Sequence, residues 1–557
     1  MESIMETSMQ KYDKNFSNQN AIRSTMHELL EERVKMHPNR EMHVFVSDNE
    51  RLNFVDFHQK VVQLASGLLE IGLSNGDYIA IIGHNHMEWP LIAGATRAIG
   101  VTTVFLQTGY PMHIIGDILR KTSCKALFLT RSPVNLYTDI CKLIPELSSS
   151  TSGSIMSNKF PDLKYVVATD INHQSGTTNL EDLYIAGHED TVKEASKLVT
   201  LGEIYCVLMT SGSTGPPKLV KFSHFRMLNP TCGLFQLCNE NEEIKFVCCG
   251  SMSFLDATFQ TQVCPLLIGS TCIYPKADAF DCKKLLQSIH DERATHITLV
   301  LNWLIQLVYD PTLSLYDLSS LKAGIVTGSP IPPEVAILLS KKLNIDVMNS
   351  YGLTEIFDAT GVIVQEGHKS NTVGKPIGNN KIKIVDESGH PVKSGEEGRV
   401  LVQSDIAFEG YFDARKTKDV MTPDGWFRTG DIGKLDQDGY LTITGRMKDR
   451  IIRSGLNIYP FPMEKALLSH SAIRNIQIVG IPDYRYGEDV CACVILNPGC
   501  TFTVEDIEKH CVDKLFVKSL PKYCLEFDEF PKVTTGKIDR KKLREMAIGR
   551  ITVPTVP

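Results

Sequence analysis

The chain has 557 residues, 43% hydrophobic and 22% charged, with a formal net charge of −7. That length exceeds one ordinary core and implies three or more units at about 100–200 residues each. The composition is that of a soluble globular protein; the acidic balance argues against nucleic acid as a partner and leaves any anionic substrate to a local site. Most of the fifteen cysteines lie in apolar, strand-like runs, as in Cys248-Cys249 and Cys491-x-Cys493. They read as reduced, buried thiols rather than a disulfide framework or a zinc site. The first twenty residues carry acidic groups, no arginine and no apolar core, unlike a signal or mitochondrial transit peptide. The terminal Thr-Val-Pro is not a peroxisomal signal. No apolar run is long enough to span a membrane, so the expected location is cytoplasmic.

After a tail (1–24), short β-runs alternate with helical patterns. FHQKVVQLASGLLEIGL (57–73) has helical spacing, YIAII (78–82) is a strand, and VTTVF, KALFL and KYVVAT continue the series. SSSTSGSIMSN (148–158) reads as a surface insertion. YCVLMT then leads into SGSTGPPK (211–218) and LVKF. Beyond it come FVCC, the helix-like ATFQTQVCPLLIG, TCIY, DCKKLLQSIHDER, THITLV, LKAGIVTG, PPEVAILLSKKL and DVMNSYG. This alternation predicts parallel α/β sheets, with ligands at the carboxyl ends of strands. Near Asn371 the pattern becomes KIKIVD, RVLVQ and YLTIT with turns between, a smaller antiparallel unit at about 371–445. RMKDRIIRSG (446–455) is a basic join, and a fresh α/β pattern of about 100 residues follows it.

Four stretches carry chemistry. In TSGSTGPPK, Gly212 and Gly215 let the backbone turn its N–H groups toward an anion. Thr210, Ser211, Ser213 and Thr214 add hydroxyls and Lys218 a charge. The spacing is not that of the usual NTPase loop, and a plain Ser/Gly surface loop is the alternative. In NSYGLTE (349–355), Tyr351 can cover a base, Thr354 donate to a phosphate and Glu355 hold Mg²⁺; an ordinary strand-to-loop turn is the alternative. In GWFRTGDIGKLDQDGYLTITGRMKDRIIRSG (425–455), Asp431 can accept from two ribose hydroxyls and Arg446 reinforce that contact; a polar turn with a solvated basic linker is the alternative. In PKVTTGKIDRKKL (531–543), Lys537 can deliver charge to a reaction centre, though by itself it is one of 58 basic residues.

Taken in this order, the four stretches resemble the adenylate-forming superfamily of acyl-CoA synthetases, luciferases and adenylation domains, over about residues 25–547. GSP (328–330), NTVGKPIG (371–378) and GIPDYRYGED (480–489) add to the likeness. ASGLLEIGL (65–73), GSPIPPE (328–334) and GEDVCACVIL (487–496) place it nearest animal medium-chain fatty acyl-CoA ligases.

The resemblance implies an α/β fold: a large N-terminal domain (25–445) of two α/β sheets plus a β-rich subdomain, a hinge (446–449), a small mobile α+β domain (450–547) and a tail (548–557). It implies ATP- and Mg²⁺-dependent activation of a fatty or other apolar carboxylate as an acyl-adenylate, then transfer to coenzyme A. Thr210, Ser211, Gly212, Ser213, Thr214, Gly215 and Lys218 would form the phosphate loop. Gly328, Ser329 and Pro330, with Asn349, Ser350, Tyr351 and Gly352, would frame the adenine. Thr354 would contact the α-phosphate, Glu355 the metal, and Asp431 and Arg446 the ribose. Lys537 would bridge carboxylate and α-phosphate, Lys448 would be the hinge, and the segment at Gly455 would face the thiol.

The chain departs from the family pattern at Leu219, where a glycine usually follows the loop lysine, and at Pro462, where an acidic residue is common. Phe254 or Leu255 stands near a usual histidine that gates the acyl pocket, and Ala257 near a usual glycine. The alternatives carried are a luciferase-like adenylating oxygenase and an adenylate- or acyl-binding protein with attenuated turnover.

Overall fold

A computed structural model describes residues 21–551 except 132–135, 152, 154, 170–173, 211–216, 231–236, 239–242, 276–279, 328–332, 365–368, 370, 405–407, 454–455, 484–485, 512–518 and 534–536. Among these residues the strands form sheets of nine, seven, five and four.

The seven-stranded sheet has a parallel centre, with Tyr78–Ile82 between Thr102–Leu106 and Ala126–Leu129. It ends in an antiparallel hairpin of β1 (Ile204–Thr210) and β2 (Lys218–Ser223). The nine-stranded sheet is parallel from Glu41–Phe45 through Ala323–Val326 to β3 (Asp346–Leu353), and β4 (Phe357–Ile363) turns back antiparallel on β3. The four-stranded sheet is wholly antiparallel and contains β5 (Phe427–Leu435) and β6 (Leu441–Arg446). Beyond it, the five-stranded C-terminal sheet packs against helices including Pro460–Leu468 and Arg540–Arg550.

The helices follow from spacing and caps. In α1 (Met26–Met36) the Thr25 hydroxyl accepts from Glu28 N while the Glu28 side chain accepts from Thr25 N, a reciprocal capping box. In α2 (Phe54–Glu70) Asn53 caps the first turn, and Phe54, Phe57, Val61, Leu64, Ala65 and Leu68 form the buried face. Each of these side chains larger than alanine contributes about 1.5–3 kcal/mol on burial. Gly72, at φ +83°, ends that helix as only glycine does at low cost. Helix α3 (Glu88–Ala98) packs on α2 and is buried almost throughout, and α4 (Leu255–Gln262) lies beside it.

One buried cluster joins both α/β sheets and extends through Phe408, Tyr411, Phe427 and Leu441 to the small antiparallel sheet. The C-terminal domain keeps cores of its own. The described cysteines are free thiols, mostly buried.

Two alternatives carried from the sequence do not hold, and one local reading is corrected. The run after Asp346 does not turn at Asn349 but stays a strand through Leu353, because β4 supplies a hairpin partner. Asp431 lies not in a polar turn but inside β5, whose apolar side chains alternate too irregularly to announce a strand. The segment read as a surface insertion tucks Ile155 into the core of the seven-stranded sheet.

Candidate active site

The β1–β2 hairpin sets Thr210 directly across from Lys218. The loop between them, with Ser211, Gly212, Ser213, Thr214 and Gly215, lies outside the described residues. The Lys218 ammonium sits 4.7 Å over the ring of Tyr411 and donates to its hydroxyl at 3.2 Å. That hydroxyl donates in turn to Glu355 Oε1 at 2.6 Å. A relay therefore joins the loop lysine to the metal-candidate carboxylate. Tyr411 is fixed by a strand-like seam against β2: Lys221 N donates to Gly410 O and Phe412 N to Leu219 O, at 3.0 and 2.8 Å. Burial, and then the Glu355 charge, push the Tyr411 phenol well up, so it is a neutral donor. The sequence reading missed Tyr411 because nothing in GYFDA marks a partner 193 positions away. Leu219 points away from this relay, as strand alternation requires, and fills the core beside Met209 and Val207.

Tyr351 donates to Asp431 Oδ2 at 2.7 Å, and Arg446 Nε lies 2.7 Å from Oδ1. Asp431 and Arg446 are cross-strand partners in β5 and β6, so register alone brings them together. Burial pushes the Asp431 carboxyl up, while the Arg446 charge and the Tyr351 bond oppose it. Each oxygen keeps a lone pair for a further donor. Gly352 is required sterically: a Cβ there would stand 1.9 Å from Phe357 O, beside a bulge in β3. The Asn349 and Ser350 side chains are engaged within the sheet, Asn349 with Thr372 O and Ser350 with Asp358 and Thr360 O. Thr354 is half-buried in the turn before Glu355. Gly328, Ser329 and Pro330 fall outside the described residues.

The C-terminal domain contributes Lys537. Its segment is closed by Val533 N donating to Lys537 O at 2.8 Å. It is anchored three residues on, where Arg540 Nη2 lies 2.7 Å from both oxygens of Glu464. Glu464 also accepts from Ile478 N, so both oxygens of this buried carboxylate are engaged. Enclosure pushes the Lys537 amine down; Arg446 adds to that and Asp256 opposes it. Asp256 is reachable by water, yet walled by protein closely enough that desolvation raises its carboxyl, with Lys537 pulling it back. It stands in the first turn of α4, after the half-buried Phe254, which occupies the N-cap, and the buried Leu255. The sequence reading stopped at Phe254 and Leu255 and missed Asp256. Its signal was there: it is the one charged residue between Lys245 and Lys276. Lys448 lies in the turn Met447–Asp449, its amine lowered by desolvation and by Arg446. Gly455 lies outside the described residues.

Glu355 fits a divalent cation shared with phosphates. It is buried, Tyr411 fixes one oxygen, and the other accepts no hydrogen bond among the described residues. One carboxylate plus substrate phosphates is a common magnesium donor set. Beside Lys218 opens a cavity of about 270 Å³, lined by Lys121, Lys416, Asp413 and the Tyr411 seam. Together these groups can hold a nucleoside triphosphate's anionic end, fix a ribose, and present a lysine where two anions must meet.

A family model described as AMP-binding enzyme matches residues 30–412, and one described as AMP-binding enzyme C-terminal domain matches 462–537. The mitochondrial medium-chain acyl-CoA ligase ACSF2 of Danio rerio is 35% identical over 538 residues, covering 94% of this chain and 88% of its own. Its Homo sapiens counterpart is 31% identical over 547 residues, covering 94% and 87%. Among solved structures, the amide bond synthetase McbA from Marinactinospora thermotolerans superposes with a TM-score of 0.77 at 24% identity, covering 94% and 99%. ATP-bound MatB from Rhodopseudomonas palustris gives 0.79 at 21%, covering 95% and 99%. These structural likenesses establish the fold. No described helix is long and apolar enough to cross a membrane.

Proposed function

The chain belongs to the family of AMP-binding enzymes, and from that premise we propose how its own residues carry the reaction. It is an ATP-dependent acid–CoA ligase of the AMP-forming kind. A carboxylate oxygen bonds to the α-phosphorus of ATP as the bond to the β-phosphate oxygen breaks, releasing pyrophosphate. The thiol of coenzyme A then attacks the acyl carbonyl, and AMP leaves with the electrons of the acyl–oxygen bond. The acid is a fatty or other apolar carboxylate.

The difficulty of the first step is repulsion between two anions, so positioned cations carry most of the catalysis. Lys537 bridges the attacking carboxylate and the α-phosphate, and Thr354 donates to the latter. Lys218 and the loop from Thr210 to Gly215 hold the departing pyrophosphate. Asp431 accepts from the ribose hydroxyls, aligned by Arg446 and Tyr351; Gly328–Pro330 and Asn349–Gly352 frame the base. Glu355 would hold Mg²⁺, which when bound draws negative charge from the phosphates. Lys448 is the hinge about which the small domain turns between half-reactions, withdrawing Lys537 and bringing the Gly455 segment toward the thiol.

The observation that carries this reading is the buried Asp431 carboxylate, met at 2.7 Å by Tyr351 on one oxygen and by Arg446 on the other. The test is ATP–pyrophosphate exchange over a panel of carboxylic acids, repeated with coenzyme A and mass analysis of the product. Exchange with apolar acids and a CoA thioester are expected. ATP binding without exchange on any acid would refute it. Free thiols fit a reducing compartment, and we place the protein in the cytoplasm. The animal relatives are named as mitochondrial, and subcellular fractionation decides between the two.

A further inference from the structure

Three side chains outside the cleft converge with no role in the reaction. His27 and Glu31 are four residues apart on α1, hence on one face, and His58 faces them from α2. One ligand atom from each lies within 4.8 Å of the other two. The two imidazoles lie nearly parallel, with centroids 5.7 Å apart. His27 Nδ1 and His58 Nε2 are both buried without a hydrogen-bond partner, and His27 is only 4% exposed. Buried polar atoms are mostly paired, and here two residues with an unpaired buried nitrogen come together with a carboxylate.

We propose that His27, Glu31 and His58 bind one divalent transition-metal ion of the zinc class, clamping α1 to α2. Two imidazoles and a carboxylate are a recurrent zinc donor set, leaving a fourth position for water. At zinc–ligand distances of about 2.0–2.1 Å, the edges of a tetrahedron are about 3.4 Å, so the triangle closes by at most ~1.4 Å. Glu31 and His58 are only partly buried, which leaves their side chains room for that adjustment. Imidazole ligates in its neutral form. The Arg97 guanidinium on α3 opposes a cation near His27, and the Glu31 carboxylate supplies the compensating charge.

The ion would secure a helix that leans on the rest of the large domain at few polar points, chiefly Arg33 donating to Leu266 O and Leu267 O. The site is structural rather than catalytic.

The test uses the full chain stripped with a chelator and titrated with Co²⁺ and Zn²⁺. Wild type should take one Co²⁺ with the visible d–d absorption of a tetrahedral nitrogen and oxygen site, and Zn²⁺ should raise its Tm. His58→Gln and Glu31→Gln should each weaken that binding by about tenfold or more and remove the Tm response. These partly exposed positions are preferred because replacing buried His27 risks misfolding. A wild-type chain that takes no cobalt overturns the proposal. So does cobalt uptake unchanged in His58→Gln, or uptake with an intense near-ultraviolet thiolate band, which would belong to cysteines.

Discussion

Replacing Tyr411 with phenylalanine tests the relay between Lys218 and Glu355. The change removes one oxygen and keeps the ring, so the 4.7 Å stack under Lys218 and the packing against Phe408 persist. Two hydrogen bonds go. The 3.2 Å contact from the half-buried lysine is worth under about 1 kcal/mol. The 2.6 Å bond to Glu355 is charge-assisted and buried, and such bonds contribute about 1.5–3 kcal/mol. If that energy orients the carboxylate for the first half-reaction, kcat/KM for ATP falls by about ten- to a hundredfold, at 1.4 kcal/mol per factor of ten. The assay is ATP–pyrophosphate exchange at several Mg²⁺ concentrations, beside thioester formation from supplied acyl-adenylate, which should change little. In a double-mutant cycle with Lys218→Met, the two effects should overlap by no more than about 1 kcal/mol, since the side chains share only that one bond. Exchange within about twofold of wild type at limiting ATP would refute the reasoning. Equal loss in both half-reactions together with a lower Tm would reduce Tyr411 to a packing residue.

Lys537→Ala should abolish acyl-adenylate formation while largely sparing thioester formation from supplied adenylate; equal loss of both steps counts against its role. The Lys537 ammonium, depressed below the ordinary lysine range, is complete below its pKa and lost above it. Adenylation should therefore decline on the alkaline side. Asp256→Asn, which removes the charge that favours the ammonium, should move that decline to lower pH, and an unmoved or raised limb sinks the assignment. Asp431→Ala should raise KM for ATP, and unaltered ATP kinetics would remove it from the nucleotide site. Glu464→Gln leaves the Arg540 guanidinium without its counter-charge, a loss of about 3 kcal/mol for a buried pair. Thermal melts should show the small domain unfolding earlier, with adenylation hit harder than thiolation; an unchanged melt refutes the anchor.

The parallel α/β order was legible because apolar runs and amphipathic helices alternate, and the structure has that order in both large sheets. The small antiparallel sheet was legible for the strands at Lys381 and Leu441, where apolar residues alternate, and at Gly398, where Val400, Leu401 and Val402 form a short apolar run. It was not legible for β5, where Arg428, Gly430 and Lys434 interrupt the pattern and cross-strand bonds decide the conformation. At the site, the sequence singled out Asp431, Arg446 and Tyr351; register pairs Asp431 with Arg446, and Tyr351 reaches Asp431 from the nine-stranded sheet, both contacts at 2.7 Å. Tyr411 was out of reach because its importance comes from a seam with β2, a contact across the sheet edge with no local signature. Asp256 and the pair of His27 with His58 share that character: each gains meaning only from a neighbour on another element.

The seam at Tyr411 makes part of the site a matter of counting. Successive side chains along a paired strand face opposite ways, so parity assigns the hydroxyl to Lys218 and Glu355 and the neighbouring Phe412 to the apolar cluster beyond. One residue inserted between Phe408 and Tyr411 would, if the seam to β2 held, turn the hydroxyl to the apolar face and leave the lysine and the carboxylate without it. A two-residue insertion would restore the phase. The length of this short stretch is thus constrained, although no residue within it takes part in the chemistry by itself.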